Sequence, residues 1–140
     1  MRVFFDTNVW LASFIAHGLC ADLVNTMMTA HDAGRMDVMV CPAVIAETKR
    51  RLLLGKLHAD DAQWRAAETV FFHITNVADG GARMPPDFPD PDDWPIVAAA
   101  VEARADLFVT GDKALLALGT VEDLPVLDPR AAYLRLRGLA

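Results

Sequence analysis

The sequence is poor in several features that define whole classes of protein. It has only two cysteines, Cys20 and Cys41, which are too few for a disulfide framework, and no Cys/His spacing resembles a zinc site. It contains no uninterrupted apolar stretch of about 18 residues, so a membrane span is not expected. The 13 lysines and arginines are outnumbered by 19 aspartates and glutamates, and the net charge of −6 argues against indiscriminate binding to polyanions.

The composition that is present indicates a single globular domain. A hydrophobic share of 54% and a charged share of 23% argue against disorder, and residues 1–140 have the length of one domain. The apolar run after Arg2 superficially resembles a secretion signal, but Asp6 and Asn8 interrupt it and no clean cleavage site follows. We therefore expect an intact cytoplasmic protein with free thiols.

Short apolar strands alternate with helices along the chain. The pattern predicts strands at residues 2–5, 38–41, 73–77, 107–110 and 125–127. It predicts helices from Asn8 onward and at residues 21–33, 42–55, 59–72, 94–105, 113–119 and 129–140, and a loop at 79–93. This alternation predicts an α/β fold with a parallel sheet and helices on both faces.

Acidic residues follow the predicted strands directly or lie one turn into the next helix. They are Asp6, Glu47, Asp92 and Asp93, Asp112 and Asp128. Because the carboxyl ends of parallel strands lie at one edge of a sheet, we expect these carboxylates to converge. Convergent carboxylates raise each other's pKa and supply the oxygen ligands that Mg²⁺ or Mn²⁺ prefers. Such ions favour phosphodiester hydrolysis, and a site of this kind makes a nuclease acidic overall.

Each acid considered alone has a simpler explanation. Asp6 would serve as the cap of the helix that follows it, and Glu47 would pair with Arg50 or Arg51 on a helix surface. The remaining acids fit caps or turns, and Asp128, which is followed by proline, is assigned to capping. The conjunction, rather than any single residue, favours a site.

Three segments carry a resemblance to a known family. They are "FFDTNVWLAS" at the start, "PAVIAETKRRL" at 42–52 and "DPDDWPIVAAAVEARADLFVTGDKALL" at 90–116. With these segments in this order, the chain resembles PIN-domain ribonucleases over essentially its whole length, particularly the VapC-like toxins of bacterial toxin–antitoxin pairs. The resemblance implies a three-layer α/β/α sandwich with a central parallel sheet. It also implies an endoribonuclease that depends on Mg²⁺ or Mn²⁺ and hydrolyses RNA with a metal-activated water.

The resemblance also implies roles for individual residues. The family's catalytic, metal-binding quartet falls on Asp6, Glu47, Asp93 and Asp112. Asp93 is preferred because it stands three residues before Ile96, although Asp92 would serve equally. Asn8 and Thr110 match polar residues that orient the ligands and waters, and Thr7 is expected to support the turn through its hydroxyl.

Basic and apolar residues suggest partners. The candidates for holding RNA phosphates are Lys49, Arg50, Arg51, Lys56 and Lys113. Lys113 is preferred because it adjoins Asp112. The alternative interpretation is that these residues form a solvated helix face that balances nearby acids. Trp94, before Pro95, is expected to line or block the entrance to the site. The apolar segments "VWLASFIAHGL" and "YLRLRGLA" suggest an interface with a cognate antitoxin or a second copy in a homodimer, or else core helices.

Three other functions remain open on the sequence. A phosphoacceptor receiver domain also combines strand-end acids with a threonine and a lysine, but it needs a pair of acids where this chain has Asp6 and Asn8. A haloacid-dehalogenase-type phosphatase needs a second aspartate as general acid, which Asn8 cannot replace. A catalytically weak PIN-like module would bind RNA or a protein without cleavage.

Overall fold

Six short strands form one sheet in the computed structural model, which describes residues 1–55 and 59–139. The strands are β1 (Arg2–Phe5), β2 (Asp37–Val40), β3 (Thr75–Asn76), β4 (Leu107–Val109), β5 (Thr120–Val121) and β6 (Leu124–Leu127). Their order across the sheet is β3-β2-β1-β4-β6-β5, and every neighbouring pair is parallel except β5 and β6, which are antiparallel.

Helices connect the strands and flank the sheet. They are α1 (Thr7–Ile15), α2 (Leu19–Asp32), α3 (Pro42–Leu54), α4 (Asp61–Phe72), α5 (Trp94–Glu102), α6 (Lys113–Leu116) and α7 (Pro129–Leu136), with 3-10 turns at Pro91–Asp93 and Arg137–Leu139. Because crossovers between parallel strands are right-handed, α1 to α4 lie on one face and α5 on the other. The predicted three-layer α/β/α architecture is confirmed.

Polar side chains cap the starts of α4 and α7. The Asp128 carboxylate accepts a hydrogen bond from the Ala131 amide at 2.7 Å, so this residue is a helix cap, as predicted. Asp60 and Gln63 form a reciprocal capping box at the start of α4. These caps explain why the two helices begin where they do.

The core is built on the central strands. Residues 3–5 of β1 and all of β4 are fully buried, and the rings of Phe4 and Phe108 stack across the two strands with centroids 5.7 Å apart. Trp10 packs edge-on against Phe5 and Phe71, which joins α1 and α4 to the sheet. Among the described residues, no single helix is long and apolar enough to span a membrane, although α1 and α2, bent by 102°, meet that test as a pair.

Several predicted boundaries are wrong. The strand predicted at 73–77 is reduced to β3, and the helix predicted at 94–105 ends at Glu102 because Arg104 adopts a left-handed backbone with φ 57°. The sheet is also not entirely parallel. Glu122 and Asp123 adopt φ values of 48° and 68° and turn the chain into the unpredicted β5–β6 hairpin.

The topology places a crevice beside β1. From β1 the chain moves outward through β2 to β3, then returns to form β4 on the other side of β1. Open α/β sheets bind ligands at such a reversal, outside the carboxyl ends of the strands. Asp6 stands at this point, since its amide donates to the carbonyl oxygen of Val109 at 2.9 Å.

Candidate active site

A cleft of about 500 Å³ opens at the reversal between β1 and β4. Five acids and two arginines line it: Asp6, Glu47, Asp92, Asp93, Asp112, Arg50 and Arg51. These acids follow the ends of β1 and β4, or lie in the second turn of α3 and in the 3-10 turn that precedes α5. The structure therefore brings together the acids that the sequence places after different strands, while their roles as metal ligands stay a prediction.

Both carboxylate oxygens of Asp6 are bound within the protein. Oδ1 accepts a hydrogen bond from the Thr7 amide at 2.8 Å, and Oδ2 accepts one from the Thr110 hydroxyl at 2.7 Å. Asp6 is thus the cap of α1 and also a member of the cleft, so the two explanations offered by the sequence are compatible. Burial raises the pKa of Asp6, and the charge of Asp112 adds to this effect, while the two hydrogen bonds oppose it.

Thr110 joins the acids of the two central strands. Its hydroxyl donates to Asp6 and accepts from the Asp112 amide at 3.0 Å, and the side chain is fully buried. Asp112 in turn uses Oδ1 to accept from the Ala114 and Leu115 amides at 2.8 and 3.3 Å. Asp112 therefore caps α6 with one oxygen, and within the described part of the chain its Oδ2 has no such bond.

Asn8 and Thr7 differ in what their side chains do. The Asn8 Oδ1 accepts from the Gly111 amide at 3.2 Å, which ties the first turn of α1 to the loop after β4. The Thr7 hydroxyl is buried and has no hydrogen-bond partner among residues 1–55 and 59–139. The expectation that this hydroxyl supports the turn is wrong, because the backbone amide of Thr7 makes the bond to Asp6.

Asp93 has the more perturbed environment of the two neighbouring acids. Desolvation raises the pKa of Asp93 to about 6, with further contributions from the negative charges of Asp6, Asp90, Asp112 and Asp92. Asp93 is half-buried and Asp92 is exposed. The charges of Asp6 and Asp112 act on Asp93, and both Asp92 and Asp93 line the cleft.

Trp94 does not obstruct the cleft. It is buried, its ring packs against Phe88 with centroids 5.0 Å apart, and its indole Nε1 donates to the carbonyl oxygen of Ala82 at 2.7 Å. The expectation that Trp94 would line or block the entrance is therefore wrong. Two residues without any polar signal in the sequence, Ala43 and Ile96, line the cleft instead.

Glu47 is held by its own helix. Arg50 approaches its carboxylate with Nη2 at 2.7 Å from Oε1 and with Nε at 3.1 Å from Oε2. This contact raises the pKa of the Arg50 guanidinium. The sequence predicts this ion pair as the simpler role of Glu47. The same side chain also lines the cleft.

The remaining basic residues occupy different positions. Arg51 lines the cleft, and its charge lowers the pKa of Asp6. Lys113 opens α6 but is not among the residues that line the cleft, and the Lys49 ammonium lies 5.7 Å from the ring centroid of Trp64. Lys56 lies outside the described residues.

The cleft has the donor chemistry for a hard divalent cation but not a preformed site. Carboxylate oxygens are the ligands that Mg²⁺ and Mn²⁺ prefer, and burial and mutual repulsion raise the pKa of Asp6 and Asp93. Yet in the described ranges no three Asp, Glu, His or Cys side chains are grouped closely enough to hold a metal ion. The donors fit such an ion in chemical type, and the Glu47 carboxylate is engaged by Arg50.

Comparisons with known proteins concern the family and the fold of the chain. A protein-family model described as PIN domain matches residues 2–114. Among solved structures, the chain is similar to VapBC2 from Rickettsia felis bound to a DNA fragment from their promoter, with a TM-score of 0.63 and 13% sequence identity. The similarity covers 91% of this chain and 98% of that one, and at this identity it concerns the fold. No curated protein matches the sequence.

Asp93→Asn is expected to stabilise the metal-free protein, because it removes a charge that partial burial disfavours and that neighbouring carboxylates repel. The increase in the free energy of unfolding should be roughly 0.5 kcal/mol, a small value because water screens this partly exposed group. Urea denaturation followed by circular dichroism at neutral pH with EDTA measures it. Asp123→Asn, on the exposed β5–β6 turn, is the matched control and should change little. A loss of stability in Asp93→Asn would contradict the expected repulsion.

Proposed function

Because the chain belongs to the PIN-domain family, we propose that it is a nuclease that hydrolyses RNA phosphodiester bonds with the help of Mg²⁺ or Mn²⁺. We further propose that it acts in the cytoplasm as the toxin of a toxin–antitoxin pair. The observation that carries the nuclease proposal is the convergence of Asp6, Glu47, Asp93 and Asp112 in one cleft.

The proposed ligands differ in how firmly the protein holds them. Asp6 is fixed by the Thr7 amide and the Thr110 hydroxyl, and Asp112 is fixed by two amides of α6. Asp93 and Glu47 would complete the set, the latter after its carboxylate leaves Arg50. A bound Mg²⁺ or Mn²⁺ supplies Lewis-acid stabilisation of charge on the phosphoryl group and makes water a stronger acid. The chain's own contribution is to hold the two central carboxylates in place before substrate arrives.

The two cleft arginines suggest different roles in binding RNA. Arg50 is engaged by Glu47, whereas Arg51 lines the same cleft and its charge acts on Asp6. A phosphate that enters the cleft meets several negative carboxylates and therefore needs a nearby cation from the protein as well as the metal. This arrangement favours Arg51, rather than Lys113, as the residue that contacts the phosphate.

Cleavage of RNA in the presence of Mn²⁺ or Mg²⁺ tests the nuclease proposal. Asp6→Asn and Asp112→Asn should each reduce the rate by about 100-fold or more, since each removes a proposed ligand charge, and EDTA should abolish cleavage. Circular dichroism verifies that the variants fold, and Asp123→Asn should cleave like the wild type. Activity that persists in EDTA, or in both ligand variants, would reject a metal-dependent site there. RNA binding without any cleavage would favour the weak binding module instead.

Arg51→Gln should weaken RNA binding, with a rise in KM and little change in kcat, because it removes a phosphate contact outside the proposed ligand set. The slope of log K against log salt should fall by about 0.7, the value for one single-stranded phosphate contact. Fluorescence anisotropy with a labelled RNA at several salt concentrations measures both quantities. Lys113→Gln is the matched charge-removing control. If Lys113→Gln weakens binding more than Arg51→Gln does, this assignment is wrong.

Exposed apolar side chains and the similarity to VapBC2 support a partner protein and a homodimer. Ile15, Leu54, Phe72 and Leu134 are 45%, 83%, 78% and 54% exposed, respectively. We expect the product of a small reading frame adjoining this gene to copurify with the chain and to inhibit RNA cleavage. Coexpression followed by size-exclusion chromatography with light scattering measures the complex and the oligomeric state. A monodisperse monomer, unaffected by the adjoining product, would argue against both partners.

A further inference from the structure

A segment between β3 and α5, residues 79–82, contacts both of the helices that begin at the cleft. We propose that this clasp segment is a positioning element: it holds the start of α3, which carries Glu47, in register with the start of α5, which follows Asp93. Asp79 is its positioning residue toward α3. The assignment of Glu47 and Asp93 as ligands comes from the proposed function, whereas the link between the two helices is independent of it.

The first contact completes the N-terminus of α3. Cys41 precedes this helix but makes no side-chain capping hydrogen bond. Instead, the Asp79 Oδ1 accepts from the Ala43 amide at 2.9 Å across a sequence separation of 36 residues. A carboxylate is favourable at a helix N-terminus, where backbone amides lack partners. Ala43 itself lines the cleft, and Glu47 lies one turn further along the same side of α3.

Three consecutive contacts attach the same segment to α5. The Gly80 amide donates to the carbonyl oxygen of Pro95 at 3.0 Å, and the Gly81 amide donates to the Glu102 carboxylate at 3.0 Å. The carbonyl oxygen of Ala82 accepts from the Trp94 indole at 2.7 Å. Trp94 directly follows Asp93 in the chain, so the segment holds the residue next to the proposed ligand.

Gly80 allows the segment to approach α5 closely. A Cβ atom built on Gly80 would lie 2.2 Å from the Ala98 Cβ and 2.4 Å from the Ala99 backbone nitrogen. No side chain fits at that distance, and only small residues on α5 permit the backbone to come so near. Gly81 differs, since a Cβ atom there would meet nothing within 4 Å. Substitution of Gly80 by alanine therefore tests the close approach, and the same substitution at Gly81 is its control.

Asp79 has a role that can be separated from general stability. Its side chain is on the surface, and its capping bond resembles that of Asp128 at the start of α7. Because α7 contributes no residue to the cleft, Asp128→Ala removes a comparable cap without touching α3 or α5. Asp79→Asn keeps an oxygen acceptor and serves as the conservative variant.

Two readouts on the purified full chain test the proposal. Calorimetric titration with MnCl₂ should show Asp79→Ala binding Mn²⁺ about tenfold more weakly, with Asp79→Asn restoring most of the affinity. Asp128→Ala should lower the Tm to a similar degree and leave Mn²⁺ affinity unchanged. Gly80→Ala should weaken Mn²⁺ binding, whereas Gly81→Ala should not. Equal effects of Asp79→Ala and Asp128→Ala on the affinity would overturn the proposal.

The second readout needs no metal. The Trp94 indole N–H resonance, assigned with Trp94→Phe, should exchange faster with solvent in Asp79→Ala than in the wild type or in Asp128→Ala. Unchanged exchange would show that α3 and α5 are not coupled through this segment and would reject the proposal. If wild-type protein and Asp6→Asn both fail to bind Mn²⁺, the proposed function fails, and the indole measurement alone decides whether the segment couples the helices.

Discussion

The cleft depends on the two hydrogen bonds of the Thr110 hydroxyl. This hydroxyl donates to Asp6 and accepts from the Asp112 amide, so one buried side chain joins the ends of β1 and β4 where the sheet reverses its order. Carboxylates at this point repel one another, and burial raises the pKa of Asp6. A fold that keeps such groups together must oppose this cost with fixed hydrogen-bond donors. Thr110, the Thr7 amide and the α6 amides are those donors.

The carboxylates of the cleft are not all stabilised in the same way. Asp6 and Asp112 are held by backbone and hydroxyl donors, whereas Glu47 is paired with an exposed arginine on its own helix. The central pair is therefore preorganised and the outer acid is not, which agrees with the lack of a compact metal-binding group among the described residues. An ion that enters this cleft would find two oxygen donors in place and would compete with Arg50 for a third.

The sequence predicts the layers of the fold and the convergence of the acids, because both follow from local periodicity and from the direction of parallel strands. Prediction from the sequence fails where one residue has two roles, or where two residues that form a hydrogen bond are far apart in the chain. Asp6 is both cap and cleft residue, a combination that pattern matching treats as alternatives. The capping of α3 by Asp79 leaves no local signal, since Cys41 holds the usual cap position. The β5–β6 hairpin depends on left-handed backbone at both Glu122 and Asp123, a conformation that is uncommon for residues other than glycine.

Both borders of the sheet consist of strands only two residues long, β3 and β5. A strand of this length offers too few free amides and carbonyls for a neighbouring chain to add a strand, and the charged Glu122 and Asp123 at the β5 turn discourage it further. The edges of the sheet are thus poor templates for strand addition, a common route to aggregation. Association of this chain with another protein then falls to the outward faces of its helices, where side-chain shape and polarity can distinguish one partner from another.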